Sequence, residues 1–180
     1  MVSGVAAGAA IDATRFAPGA APILWIAGAV LVQLRLAANM FDGMVALARG
    51  TASPLGELYN EVPDRVSDSA ILIGLGLAAG DPALGAAAAL AAMATAYVRA
   101  LGKASGAGSD FSGPMAKQQR MFLVTALAVW SGLAPSSWQP EYLGLSFPAM
   151  LLVVITAGAA FTALRRLGRI AATLRRHSKP

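Results

Sequence analysis

The sequence has no cysteine and a single histidine, His177, close to its end. Without cysteine there is no disulfide scaffold, no thiolate nucleophile and no Cys-ligated zinc or iron–sulfur centre. One histidine in a basic stretch argues against a Ser-His-Asp triad and against a His-rich metal site. Charge is scarce as well. Asp, Glu, Lys and Arg make up 13% of the 180 residues, against about 25% in a soluble globular chain. Apolar residues fill the gap at 57%, with a mean hydropathy of +0.62. These values exclude disorder and point to lipid as the solvent. The net charge of +5 leaves nucleic acid open until the charges are placed along the chain.

A hydrocarbon core of about 30 Å takes about 20 mostly apolar residues per helix. Runs of that kind predict spans at 21–40, 56–80, 82–100, 121–134 and 147–164, the second polar in its first half. The first 13 residues are apolar but too short to cross, and Asp12 and Arg15 close them off. They read as the end of a first helix whose beginning is missing; no basic region precedes them, as a signal peptide would require. The expected fold is an all-α integral membrane domain over 1–180, with six transmembrane helices and the first short or incomplete.

Connections at 80–82 and 135–146 are free of Lys and Arg. Opposite them lie Arg35, Arg49, Arg99, Lys103, Lys117, Arg120 and a basic tail over 165–180, so 12 of the 14 basic residues fall on one side, Arg15 and Arg65 being the exceptions. By the positive-inside rule that side is cytoplasmic, in a multi-pass protein of the cell (inner) membrane. The tail reads as a contact for anionic headgroups. No aromatic or recognition motif accompanies it, which argues against nucleic acid.

Six of the nine acids lie between Asp42 and Asp81, five of them within 27 residues. Asn39 and Asp42, three apart, share a helix face; Gly56, Asn60, Asp64 and Asp68, each four apart, form a stripe on the next helix. Residues 50–54 (Gly-Thr-Ala-Ser-Pro) reverse the chain between them, so the two faces can meet. Carboxylates at membrane depth are expensive and mark a functional site by default. Oxygen ligands without His or Cys select hard cations, and Mg²⁺ commonly bridges carboxylates to substrate phosphate. The competing reading makes Asp64, Arg65 and Asp68 ordinary ion pairs at a helix start. Pro63 falls inside this predicted helix and is expected to bend it.

Asn39-Met-Phe-Asp42-Gly43-Met-Val-Ala46-Leu47, eight residues, then Gly56-x3-Asn60-x3-Asp64 resembles the signature of the CDP-alcohol phosphatidyltransferases, D-x2-D-G-x2-A-R-x8-G-x3-D-x3-D. The match runs without a gap over 26 positions, with Asp42, Gly43, Ala46, Gly56 and Asp64 identical. Asn39 and Asn60 stand at the first and third acid, and Leu47 at the arginine. A register ending on Asp64 and Asp68 would need glycine at 60, where asparagine stands.

The resemblance implies transfer of a phosphatidyl group from a CDP-linked lipid, such as CDP-diacylglycerol, to an acceptor alcohol, with release of CMP. It implies Mg²⁺ or Mn²⁺ held by Asp42, Asp64, Asn39 and Asn60, with Asp68 as a further candidate, and Asp64 as general base. Gly43, Ala46 and Gly56 would leave room for the CDP group. Arg99, Lys117 and Arg120 would hold the phosphate of a phosphorylated acceptor, although topology and snorkelling account for them equally well. The two asparagines leave the four-ligand set at −2 instead of −4, since an amide offers an oxygen but no charge. A catalytically weak homologue that binds CDP-lipid or partners an active synthase is the alternative; a small cation transporter fits the acids but not the motif. A homodimer is expected, and the small-residue run 85–94 offers a surface either for a second copy or for packing inside the monomer.

Overall fold

The structure is a computed structural model that describes residues 1–48 and 54–177, except for the side chains at 43, 46–48, 54, 55, 57, 58, 136 and 177. Six helices follow one another: α1 (Val2–Ala13), α2 (Ala21–Ala48), α3 (Pro54–Ala78), α4 (Pro82–Ala104), α5 (Lys117–Leu133) and α6 (Phe147–His177). The expected reversal at 50–53 lies outside the described residues. The α3–α4 corner is built from its sequence. Gly80 takes φ +79°, Asp81 accepts a hydrogen bond from the Leu84 N–H at 2.9 Å, and Pro82 starts α4 where no N–H is needed.

α3 is the central element, packed against α1, α4 and α6, while α2 pairs with α1 and α5. Ile71, Leu72 and Leu75 of α3 meet Ile11, Val32, Val124, Leu152 and Ile155 in a fully buried core. α1 reaches α3 through glycines: a Cβ on Gly74 would stand 2.2 Å from the Gly8 carbonyl oxygen, and one on Gly8 2.3 Å from that of Ala70. Backbones this close give membrane helices the dispersion contacts that replace a hydrophobic driving force.

Three of the helical stretches, Pro18–Asp42, Pro82–Ala104 and Phe147–Arg176, are long and apolar enough to cross a membrane. Large apolar side chains cover the outside of the bundle, including Ile23, Leu90, Phe122, Phe161 and Leu164. An exterior of that kind marks a protein made for lipid.

The structure adds detail at three places. The basic stretch is helical as far as His177, because α6 continues through it, and Arg166 is 4% exposed. The connection at 135–146 holds a short antiparallel hairpin pairing Glu141 with Ser146 and Tyr142 with Leu145, turned by Leu143 and Gly144 at positive φ. Within the small-residue run, Gly85, Ala88, Ala89 and Ala92 are buried in the monomer, and Gly85 abuts Gly76 of α3. Of the two alternatives for this run, packing inside the monomer is the one that these residues adopt.

Candidate active site

α2 presents Arg35, Asn39 and Asp42 at i, i+4 and i+7, and α3 presents Asn60, Asp64 and Asp68 at four-residue steps, so each set shares one helix face. Long polar side chains bridge the two helices there. Asn39 donates from Nδ2 to both carboxylate oxygens of Asp64, at 2.7 Å each. Two residues of the predicted set are thereby brought together. Asp42 and Asn60 are exposed, and among the described residues no group of three or more His, Cys, Asp or Glu side chains converges. Gly56 is exposed; the side-chain surroundings of Gly43 and Ala46 lie outside the described part. Pro63 is accommodated within α3, and the Ser67 hydroxyl bonds its carbonyl at 2.8 Å.

The dominant partner of the acids is Arg35. By sequence it belongs with the cytoplasmic topology charges, but it is 3% exposed. Its Nη2 lies 3.0 Å from Asp64 Oδ1, 3.1 Å from the Asp64 carbonyl oxygen and 2.7 Å from Asp68 Oδ1. Lys117, at the start of α5, pairs through Nζ with Asp64 Oδ2. Asp68 is buried; Arg120 and Arg65 approach its Oδ2 to 3.6 and 4.0 Å. Neither Asp68 oxygen has an aligned hydrogen bond, so it is held by the charge of three guanidiniums. Asp64 and Asp68 are thus ion-paired, but buried and well inside α3 rather than at its start, with Arg35 rather than the adjacent Arg65 as main partner.

A cavity of about 210 Å³ opens between α3, α4, α5 and α6, lined by Glu61, Asp64, Arg99, Lys117, Arg120 and Arg166 among others. Glu61, Arg99 and Phe111 also border a wider depression of about 520 Å³ towards Lys103 and Ser109. Arg99 donates to Glu61 Oε1 at 2.6 Å and lies over the Phe111 ring, 4.9 Å from its centroid. Arg120 is fully buried and donates to the Met115 carbonyl at 2.8 Å and to Thr95 Oγ1 at 3.3 Å. Two of its five N–H donors thus hold the α4–α5 junction together, which the expectation of a phosphate ligand at the membrane boundary did not include.

Arg166 reaches back from α6 to the Ser112 carbonyl at 2.8 Å and the Thr95 carbonyl at 3.0 Å. It ties the 105–116 loop over the cavity. Burial alone would raise the carboxyl of Asp110 in that loop. Hydrogen bonds from Ser112, with Arg169 and Arg166 nearby, outweigh this and hold it below the ordinary carboxylate range. Arg35, Thr95, Ser112 and Arg166 are the residues that sequence reasoning missed. Arg35 carried a signal, being one turn before Asn39 on the same face; the others join segments far apart in the chain.

Asp64 and Asp68 do not fit the pair of divalent ions implied by the resemblance. Both oxygens of Asp64 already accept from Asn39, Arg35 and Lys117, and Asp68 sits among Arg35, Arg65 and Arg120. Mg²⁺ demands several free oxygens in near-octahedral array, and a cation placed here would meet like charges at close range.

No family model matches the chain. It is 32% identical over 177 residues to the archaetidylinositol phosphate synthase of Aeropyrum pernix, a match covering 98% of this chain and 82% of that protein. It is 32% identical over 145 residues to the phosphatidylinositol phosphate synthase of Mycobacteroides abscessus, covering 76% of this chain and 63% of the relative. The fold matches the crystal structure of the Mycobacterium tuberculosis phosphatidylinositol phosphate synthase with CDP-DAG bound, with a TM-score of 0.71 and 20% identity over 94% of this chain and 82% of that one. With identity at this level along nearly its whole length, the chain belongs to the CDP-alcohol phosphatidyltransferase family, membrane enzymes that transfer a phospho-alcohol group from a CDP-linked donor to an acceptor alcohol.

Proposed function

We propose that the donor is a lipid of the CDP-diacylglycerol type and that the acceptor is a phosphorylated polyol, inositol phosphate first among them. The cavity carries this reading: a carboxylate, Asp64, shares one small space with Arg99 and Lys117. A phosphorylated alcohol needs a base near its hydroxyl and cations near its phosphate, and guanidinium groups suit phosphate through paired N–H donors. Both sequence relatives are named for inositol phosphate products, which fits this pairing.

In this mechanism the acceptor phosphate enters between Arg99 and Lys117. Lys117 is an Asp64 partner on a long flexible stem at the cavity wall, closer to Oδ2 than Arg65 is. As it turns to the phosphate, Asp64 Oδ2 is released to accept the proton of the attacking hydroxyl. The acceptor oxygen bonds the phosphorus that carries the lipid, the bond from that phosphorus to CMP breaks, and CMP leaves with the electron pair. Arg35 and Asn39 keep Asp64 oriented throughout. Positioning and fixed charge dominate phosphoryl transfer generally.

Helices α2 to α6 would cross the membrane of the cell, α3 and α5 being covered by their neighbours where they are short or polar, and α1, with 12 residues, would reach only part of the way; the cavity would lie on the cytoplasmic side where Arg99, Lys103 and Lys117 gather. A homodimer would form through a lipid-facing surface other than Ala88 and Ala92. A screen with radiolabelled CDP-diacylglycerol and inositol phosphate, glycerol phosphate, inositol and serine tests the acceptor. Product with inositol phosphate is expected; product only with an unphosphorylated alcohol would contradict the reading.

A further inference from the structure

We propose that Arg35 is a built-in counter-ion standing in for a divalent metal, so that this site works without a tightly held metal ion of its own. The inference rests on the transferase reading of the cavity and deepens it. Four observations carry it. Arg35 is an arginine inside an apolar helix, 3% exposed, with one nitrogen within 3.0 Å of carboxylates from two different turns of α3. A cation that bridges Asp64 and Asp68 in this way occupies the space between them.

The second observation is Lys117, paired with the remaining oxygen of Asp64. The third is Asn39, which turns an amide N–H towards Asp64. The assignment of nitrogen rather than oxygen there follows from the hydrogen bonds, since only a donor can face a carboxylate. The fourth is charge. Asp64 and Asp68 carry −2, while Arg35, Arg65, Lys117 and Arg120, all within 4.0 Å of them, carry +4.

An acid pair whose neighbours already exceed its charge has no electrostatic reason to recruit a divalent cation. The asparagines at 39 and 60 then have a physical sense. With Arg35 in place, further carboxylates are not needed to balance metal charge. Among the cations around the acids, Arg35 does not line the cavity, whereas Lys117 does. Neutralisation of the acids and contact with substrate phosphate are therefore divided between two protein cations.

The test is Mn²⁺ binding to the full-length protein in detergent micelles, followed by electron paramagnetic resonance without nucleotide. The wild-type protein should bind Mn²⁺ no more tightly than about 1 mM, a weak-binding range. Asn39→Asp and Asn60→Asp combined with Arg35→Leu should tighten binding at least about tenfold, because the donor set gains two charges and loses a repelling one. Asn39→Asp with Asn60→Asp, keeping Arg35, should gain less and serves if the triple variant does not fold. Wild-type binding of one or more Mn²⁺ per chain below that threshold would overturn the proposal, as would equal affinities with and without Arg35. CMP release assayed in Mg²⁺ and in EDTA separates the two readings. Release in both supports the built-in counter-ion; release in Mg²⁺ alone overturns it and leaves the transferase standing; release in neither counts against the transferase, while the Mn²⁺ result still decides the role of Arg35.

Discussion

Arg35 Nη2 lies 2.7 Å from Asp68 Oδ1, and both side chains are 3% exposed. Breaking a buried pair from one side leaves an uncompensated charge, at a cost of about 3–5 kcal/mol. Arg35→Leu is therefore expected to lower unfolding stability in mixed micelles by about that amount. Arg35→Leu combined with Asp68→Leu should lose less than the single variant, since neither charge is then stranded. Equal losses would show that the pair is not coupled.

Asp64→Asn should abolish transfer. A positioned base contributes about 10²–10⁴-fold, and the amide keeps the shape while losing the proton acceptor. Circular dichroism should stay helical. A variant retaining more than about a tenth of the rate would remove Asp64 from the base role.

Arg99→Gln should act on the acceptor. Arg99 borders the cavity from α4 and faces Glu61 and Phe111. A hydrogen bond to a charged group is worth about 1.5–3 kcal/mol, so KM for inositol phosphate should rise about tenfold or more, with little change in KM for the CDP-lipid. Equal effects on both substrates would point to a purely structural Arg99.

Gly74→Ala tests the fold below the site. The added Cβ would stand 2.2 Å from the Gly8 carbonyl oxygen, and backbone on both sides leaves no flexible neighbour to yield. Overpacking costs about 1–3 kcal/mol, so the variant should melt several degrees lower. Gly19→Ala, with open space around its Cβ, should be neutral by the same measurement.

Most of the helical order could be read from the sequence because membrane helices announce themselves by long apolar runs. The end of α6 was only partly legible: Arg165, Arg166 and Arg169 read as a basic tail against lipid headgroups, yet Arg166 has carbonyls of Thr95 and Ser112 to satisfy it inside the bundle. Among the site residues, the meeting of Asn39 with Asp64 followed from helical spacing together with the chain reversal expected at 50–54. Arg35 did not, because a charge count assigns an arginine to the nearer membrane face and cannot see a carboxylate supplied by another helix. The packing of Ala88 and Ala92 was open for a related reason. A small-residue stripe fits any close helix, and only the structure places Gly76 of α3 against Gly85.

The most direct measurement is CMP release from CDP-diacylglycerol by the purified protein in Mg²⁺-containing buffer, with and without inositol phosphate. Acceptor-dependent CMP, formed one-for-one with a phosphodiester lipid and lost in Asp64→Asn, is the predicted result. Binding of the donor with no CMP released on adding the acceptor would contradict it, and would make the chain a CDP-lipid-binding homologue.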